Sequence, residues 1–128
     1  MKEKIKNECI KNPEEESCGF LLFERKRTKL VPCVNCAENK KINFRISFAD
    51  FIKTRKKGEI FGIYHSHVDG NSEFSEKDII HSREIMLPYF LYSIKSDKHN
   101  LLIPETSKSQ SKSFKNFLSR VKKVYSVK

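Results

Sequence analysis

A chain of 128 residues has the length of one domain built around a single, modest core. Its 38% hydrophobic and 11% aromatic content excludes a disordered protein, and no apolar run reaches the length of a membrane span. The net charge of +10 sits largely at one end: residues 106–128 hold seven Lys/Arg and no acid, leaving 19 basic and 16 acidic residues in the other 105. The body is therefore nearly balanced. Outside one amphipathic stripe, its basic end lacks the interleaved aromatics of a nucleic-acid surface, which argues against that class of partner.

The amino-terminal residues MKEKIKNECIKNPEEE lack the apolar stretch of a signal peptide, so the expected compartment is the cytoplasm. The spacing predicts a short helix over residues 2–12 that stops before Pro13. CGFLLF (18–23) is continuously apolar, as in a buried strand. A charged turn over 25–29 and the returning strand LVPCV (30–34) complete a hairpin. NFRIS (43–47) alternates polar and apolar residues, the pattern of a half-buried strand. Residues 48–57 read as a helix that ends at Gly58, and EIFGIY (59–64) as a central strand. After a loop at 70–72, Ser75 opens a helix running to about Met86, ahead of Pro88. Residues 89–94 and 101–103 read as two further strands.

Residues 106–112 have the composition of a linker. Beyond it Phe114, Phe117, Leu118, Val121 and Tyr125 recur at three- and four-residue spacing, one apolar stripe on a basic helix. That stripe is expected to dock on the domain's own sheet or, failing that, on an assembly partner. The division expected is a domain over 1–105 followed by a basic linker and amphipathic helix over 106–128. Mixed strands and helices in this order imply an α+β fold with α/β/α-like layers.

Four cysteines, Cys9, Cys18, Cys33 and Cys36, include one CxxC pair. A four-thiolate zinc site needs a second such pair, so core packing is the default, with a structural metal or a redox pair as lesser alternatives.

The chemistry concentrates in YHSHVDGNSEFSEKD, residues 64–78. His65 and His67 are two residues apart at a strand end and so face the same side, while Ser66 faces the other. Asp78, in the first turn of the next helix, can bring a carboxylate to the same point. Two imidazoles and one carboxylate leave one of four positions open, which distinguishes a catalytic zinc site from a structural one. Hydrolysis also needs a base that is not a tight ligand, and Glu16, just before the buried strand, is the best candidate. Ser75 can offer a hydroxyl to an oxyanion. The segment Ser75-Glu-Lys-Asp78 is equally a helix capping box, which needs no metal.

The combination of an upstream Glu16, then His65-Ser66-His67, seven residues, Ser75, two residues and Asp78 resembles the signature of the JAMM, or MPN-plus, zinc metallopeptidases. ESCGFL (16–21) resembles the family's strand after its glutamate. NFRIS (43–47) and LPYFLY (87–92) resemble the segments flanking the site, and the match runs over roughly residues 10–104. The resemblance implies a curved mixed sheet flanked by helices, similar to cytidine deaminase. It implies one zinc per chain held by His65, His67 and Asp78, with Glu16 as general base and acid and Ser75 steadying the tetrahedral intermediate. It implies cleavage of peptide or isopeptide bonds in a protein or peptide substrate, often a ubiquitin-like tail.

The chain lacks the long insertions with which eukaryotic deubiquitinating members grip ubiquitin, so it resembles the minimal prokaryotic or phage type. A phage member would be virion-associated, and an assembly role in a phage tail is the alternative to catalysis. Only the family's register selects Glu16 over Glu14 and Glu15. His81 and Asp69 lie near the site in sequence but match no family ligand, and His99 falls in a polar turn.

Overall fold

The computed structural model describes residues 1–104 and 112–125, apart from the side chains of Ser113, Phe114 and Phe117. The linker expected at 106–112 lies outside the described residues except for Lys112, and the Phe114 and Phe117 side chains of the predicted stripe lie outside them too.

The chain begins with helix α1 (Lys2–Cys9), then strands β1 (Cys18–Glu24) and β2 (Arg27–Cys33), and helix α2 (Phe48–Arg55). Strand β3 (Glu59–His67), helix α3 (Glu76–Ile85), strands β4 (Tyr89–Ser93) and β5 (Lys98–Leu102), and helix α4 (Lys112–Tyr125) follow. The strands form one sheet in the order β2-β1-β3-β4-β5. Only β3 and β4 run parallel, joined through α3, so the sheet is mixed and the fold is α+β, as expected.

The β1–β2 hairpin turns on two residues, Arg25 and Lys26, both with positive φ (49° and 65°). Such a turn matches the twist of paired strands. It uses only two of the five residues expected in the turn, so β2 starts at Arg27 and Glu24 pairs with it. Between β1 and β3 the register shifts: Leu21 faces Gly62 and Leu22 faces Ile60, which leaves Phe61 as a bulge. A side chain at Gly62 would meet the Phe90 ring at 2.6 Å, so the close approach of β4 requires glycine there.

Each face of the sheet has its own core. On one, Leu21, Phe61, Tyr64 and Phe90 pack with Ile5 and Cys9 of α1 and with Leu118 and Val121 of α4. On the other, Phe20, Ile63 and Tyr89 pack with Phe44, Phe51, Phe74 and Leu87. Fully burying side chains of this size contributes about 1.5–3 kcal/mol each. Helices thus cover both faces. Among the described residues no helix is long and apolar enough to cross a membrane.

The structure departs from expectation at three further places. Helix α1 ends at Cys9 rather than residue 12, because Lys11 N–H turns back to the Glu8 carbonyl at 3.4 Å and closes the last turn. Strand β5 starts at Lys98 rather than Leu101, since Lys98 pairs with Ser93 across a tight turn. Residues 43–47 are not a strand. Their backbone groups bond instead to Asn35 and Cys36: Asn35 Nδ2 donates to the Asn43 carbonyl at 2.9 Å, and Arg45 N–H donates to Asn35 Oδ1 at 3.1 Å. Cys36 N–H donates to the Arg45 carbonyl at 2.8 Å. An amide side chain occupies the place of a partner strand, while the alternating residues still bury Phe44 and Ile46 against the sheet.

Candidate functional site

Strand β3 carries His65, paired with Cys18 of β1, and His67, two residues past that pairing, onto the face covered by α2. His65 is fully buried and His67 partly so. The His65 ring is fixed by packing, stacked on Phe44 with centroids 4.5 Å apart and set edge-on to Tyr89 at 5.6 Å. The His67 ring is fixed by a hydrogen bond: its Nδ1 lies 2.9 Å from the Asn71 carbonyl. Donation to that carbonyl puts a proton on Nδ1, so the neutral ring turns its Nε2 lone pair to the cleft, the tautomer a metal ligand needs, whereas the protonated ring donates Nε2–H to Asp78. Asn71 is held in turn by its loop, where Ser93 Oγ donates to the Gly70 carbonyl and Asn100 Nδ2 to the Ser72 carbonyl.

Asp78 meets both histidines with one oxygen. Its Oδ2 lies 3.3 Å from His65 Nε2 and 3.5 Å from His67 Nε2. The same Oδ2 accepts from Ser75 N–H at 3.1 Å, and Ser75 Oγ accepts from Asp78 N–H at 3.1 Å, completing a capping box on α3. The two readings of Ser75-Glu-Lys-Asp78 therefore coexist: the helix cap is what aims the carboxylate at the histidines.

Glu16 arrives from the other side, immediately before β1. It is 5% exposed, whereas Glu14 is exposed and Glu15 half-buried, so burial singles it out from its neighbours. One ligand atom each from Glu16, His65 and His67 falls within a 4.8 Å span, a group that could hold a metal ion. Asp78 is not in that group, but its Oδ2 contacts both imidazoles. A tetrahedral ion with ligands at about 2.1 Å separates its donors by about 3.4 Å. The Asp78 contacts of 3.3 and 3.5 Å fit that spacing.

The local electrostatics are those of charges brought together out of water. Burial pushes the Glu16 carboxyl up to about 7, with His67 pulling it down and Asp78 adding to the rise. Burial also resists the charge on Asp78, but hydrogen bonds from His65 and His67 outweigh it and hold that carboxyl well below the usual range. Burial lowers the pKa of His65 despite the contact with Asp78. For His67 burial acts in the same sense, but the hydrogen bonds with Asp78 and Asn71 and the charge of Glu16 win, and its pKa rises.

Two residues that position Glu16 escaped the sequence reading. Ser66, on the far side of β3, accepts Ser17 N–H on its Oγ at 2.9 Å. Asn35 Nδ2 donates to the Glu16 carbonyl at 2.9 Å. The available signal was an asparagine in a connecting segment, a residue type that binds nearby backbone groups.

Of the other residues weighed, His81 is exposed on the cleft wall and Asp69 pairs with Lys41 at 3.3 Å. His99 packs against Tyr92 and Tyr125 on the opposite face. All four thiols are free, and Cys18 lies directly across the sheet from Cys33. The cleft over His67 has a volume of about 220 Å³, and Glu16, Ser75 and Asp78 all line it. A larger apolar groove of about 930 Å³ runs beside it between α2 and α3 and contains none of these groups.

The family described as prokaryotic homologs of the JAB domain matches residues 2–109 of this chain. The solution structure of protein DSY2949 from Desulfitobacterium hafniense is similar over 87% of this chain and 90% of its own, with a TM-score of 0.58 at 16% sequence identity. No curated protein matches the chain.

Proposed function

This chain belongs to the prokaryotic homologs of the JAB domain, and on that premise we propose that it is a zinc-dependent peptidase or isopeptidase acting on an extended protein tail, a ubiquitin-like one among the candidates. The observation that carries this reading is the convergence of Glu16, His65 and His67 within 4.8 Å, with Asp78 in contact with both imidazoles. His65, His67 and Asp78 would hold the ion. Zinc there would supply Lewis acidity, making a water acidic near neutral pH and polarising a carbonyl.

The chain's own residues do the rest. Glu16, whose carboxyl titrates at about 7 without metal, sits where it can take a proton from water and return it to the leaving amine. Ser75 Oγ already accepts from Asp78 N–H, so its own proton remains free to donate to the oxygen of an attacked carbonyl. His67 keeps its tautomer through Asn71, and Asp78 keeps its direction through the α3 cap.

The test uses zinc-loaded protein and candidate tail proteins from the same genome, with products read by mass. Glu16→Gln should keep its zinc and lose hydrolysis by a factor of about 10²–10⁴. Cleavage by that variant at the parent's rate would remove Glu16 from the reaction. Zinc content that falls together with activity would make it a ligand instead.

A further inference from the structure

Two lysines and one acid stand at the rim of the cleft. Lys41 and Lys77 both line it, Lys41 on the segment that leads to Phe44 and Lys77 in the first turn of α3. Inside, Asp78 is committed to the histidines, and Glu16 is buried beside them. At the rim Asp69 is the one acid among the described lining residues, and it is paired with Lys41 at 3.3 Å. The side chains of that pair are 59% and 73% exposed, so the contact is weak and readily exchanged. Lys77 is exposed and forms no ion pair among the described residues. A segment entering the cleft therefore meets two ammonium groups, one with no ion pair among the described residues and one loosely held. A carboxylate can replace Asp69 on Lys41 or meet Lys77 directly, whereas a cationic side chain is repelled by both.

We infer that Lys41 and Lys77 are specificity-determining residues that select substrate segments bearing a carboxylate beside the scissile bond. This rests on the peptidase reading of the same cleft. The carboxylate is either an Asp/Glu side chain or the free carboxyl terminus of the substrate.

The test is retention of a degenerate decapeptide pool on immobilised, zinc-loaded Glu16→Gln protein, with the retained sequences read by mass spectrometry. Asp and Glu should be enriched about threefold over the input, the scale of one exposed ion pair. The Lys41→Gln/Lys77→Gln variant should lose the enrichment, and Lys41→Glu/Lys77→Glu should reverse it toward Lys and Arg. A pool with amidated carboxyl termini separates the two sources, since enrichment that survives amidation comes from side chains. No enrichment on the parent, or the same enrichment on the charge-reversed variant, overturns the inference. Retention of acidic peptides without any cleavage by the Glu16 form upholds carboxylate selection by the two lysines and sinks the peptidase reading instead. Cleavage at sites with no flanking carboxylate does the converse.

Discussion

Ser17 and Ser66 hold each other twice: Ser17 N–H donates to Ser66 Oγ at 2.9 Å, and Ser66 N–H donates to the Ser17 carbonyl at 3.0 Å. This places Glu16, one residue earlier, against the two histidines that flank Ser66. The serine between the histidines thus faces away from the site and still governs it. Ser66→Ala should leave Ser17 N–H without an acceptor and cost about 1–3 kcal/mol of stability, read by urea denaturation. Zinc content should stay at the parent's level while hydrolysis falls. Unimpaired hydrolysis in a variant that is measurably less stable would show that Glu16 keeps its place by other means.

Asn35 ties together three segments. Its Nδ2 donates to the carbonyls of Glu16 and Asn43, and its Oδ1 accepts from the N–H groups of Ala37 and Arg45. It is 2% exposed, so water cannot readily replace these bonds. Asn35→Ala should cost about 3 kcal/mol or more in thermal or urea melts. Asn35→Asp should recover little of the loss, because a carboxylate cannot donate to the two carbonyls. A melt unchanged by both substitutions would rule out this clamp.

Glu16 gives a pH signature to the metal-free protein. Its pKa rises from 4.5 to about 7 on folding, so the folded state binds the proton more tightly than the unfolded chain. The associated stability is complete below pH 4.5 and is lost as pH climbs through about 7. With the metal chelated, parent and Glu16→Gln should therefore differ in the slope of stability against pH chiefly between those limits. Parallel stability curves across that window would show that the carboxyl is not buried in solution.

The two ends of the capping box should separate in a metal assay. Ser75→Ala and Asp78→Ala each remove a cap contact worth about 1 kcal/mol. On the zinc reading, only Asp78→Ala should also lower the zinc bound per chain and abolish the rise in melting temperature expected of the parent on adding zinc. Equal zinc content in the two variants would take Asp78 out of the ligand set.

Much of this site is legible in the sequence because its spacings are short and mechanical. A two-residue interval on a strand puts His65 and His67 on one side, and Ser-x-x-Asp at a helix start fixes where Asp78 points. Glu16 is different. Nothing local separates it from Glu14 and Glu15, and only family register or the observed burial does so. The failure at residues 43–47 is equally physical. Alternation reports which side chains are buried, and those of Phe44 and Ile46 are; it does not report whether the backbone is paired by a strand or by one asparagine. Asn71 meets His67, and Lys41 meets Asp69, through loop contacts for which no periodic signal exists.

The cap that Asp78 completes on α3 bears on how a metal site of this kind can decay. A lineage with no use for an ion would still need Ser75 and Asp78 to start α3, whereas His65 and His67 have no part in that cap. Vestigial forms of this cleft should thus be recognised by the erosion of their imidazoles, with the acid at the helix start left standing as a poor witness to chemistry.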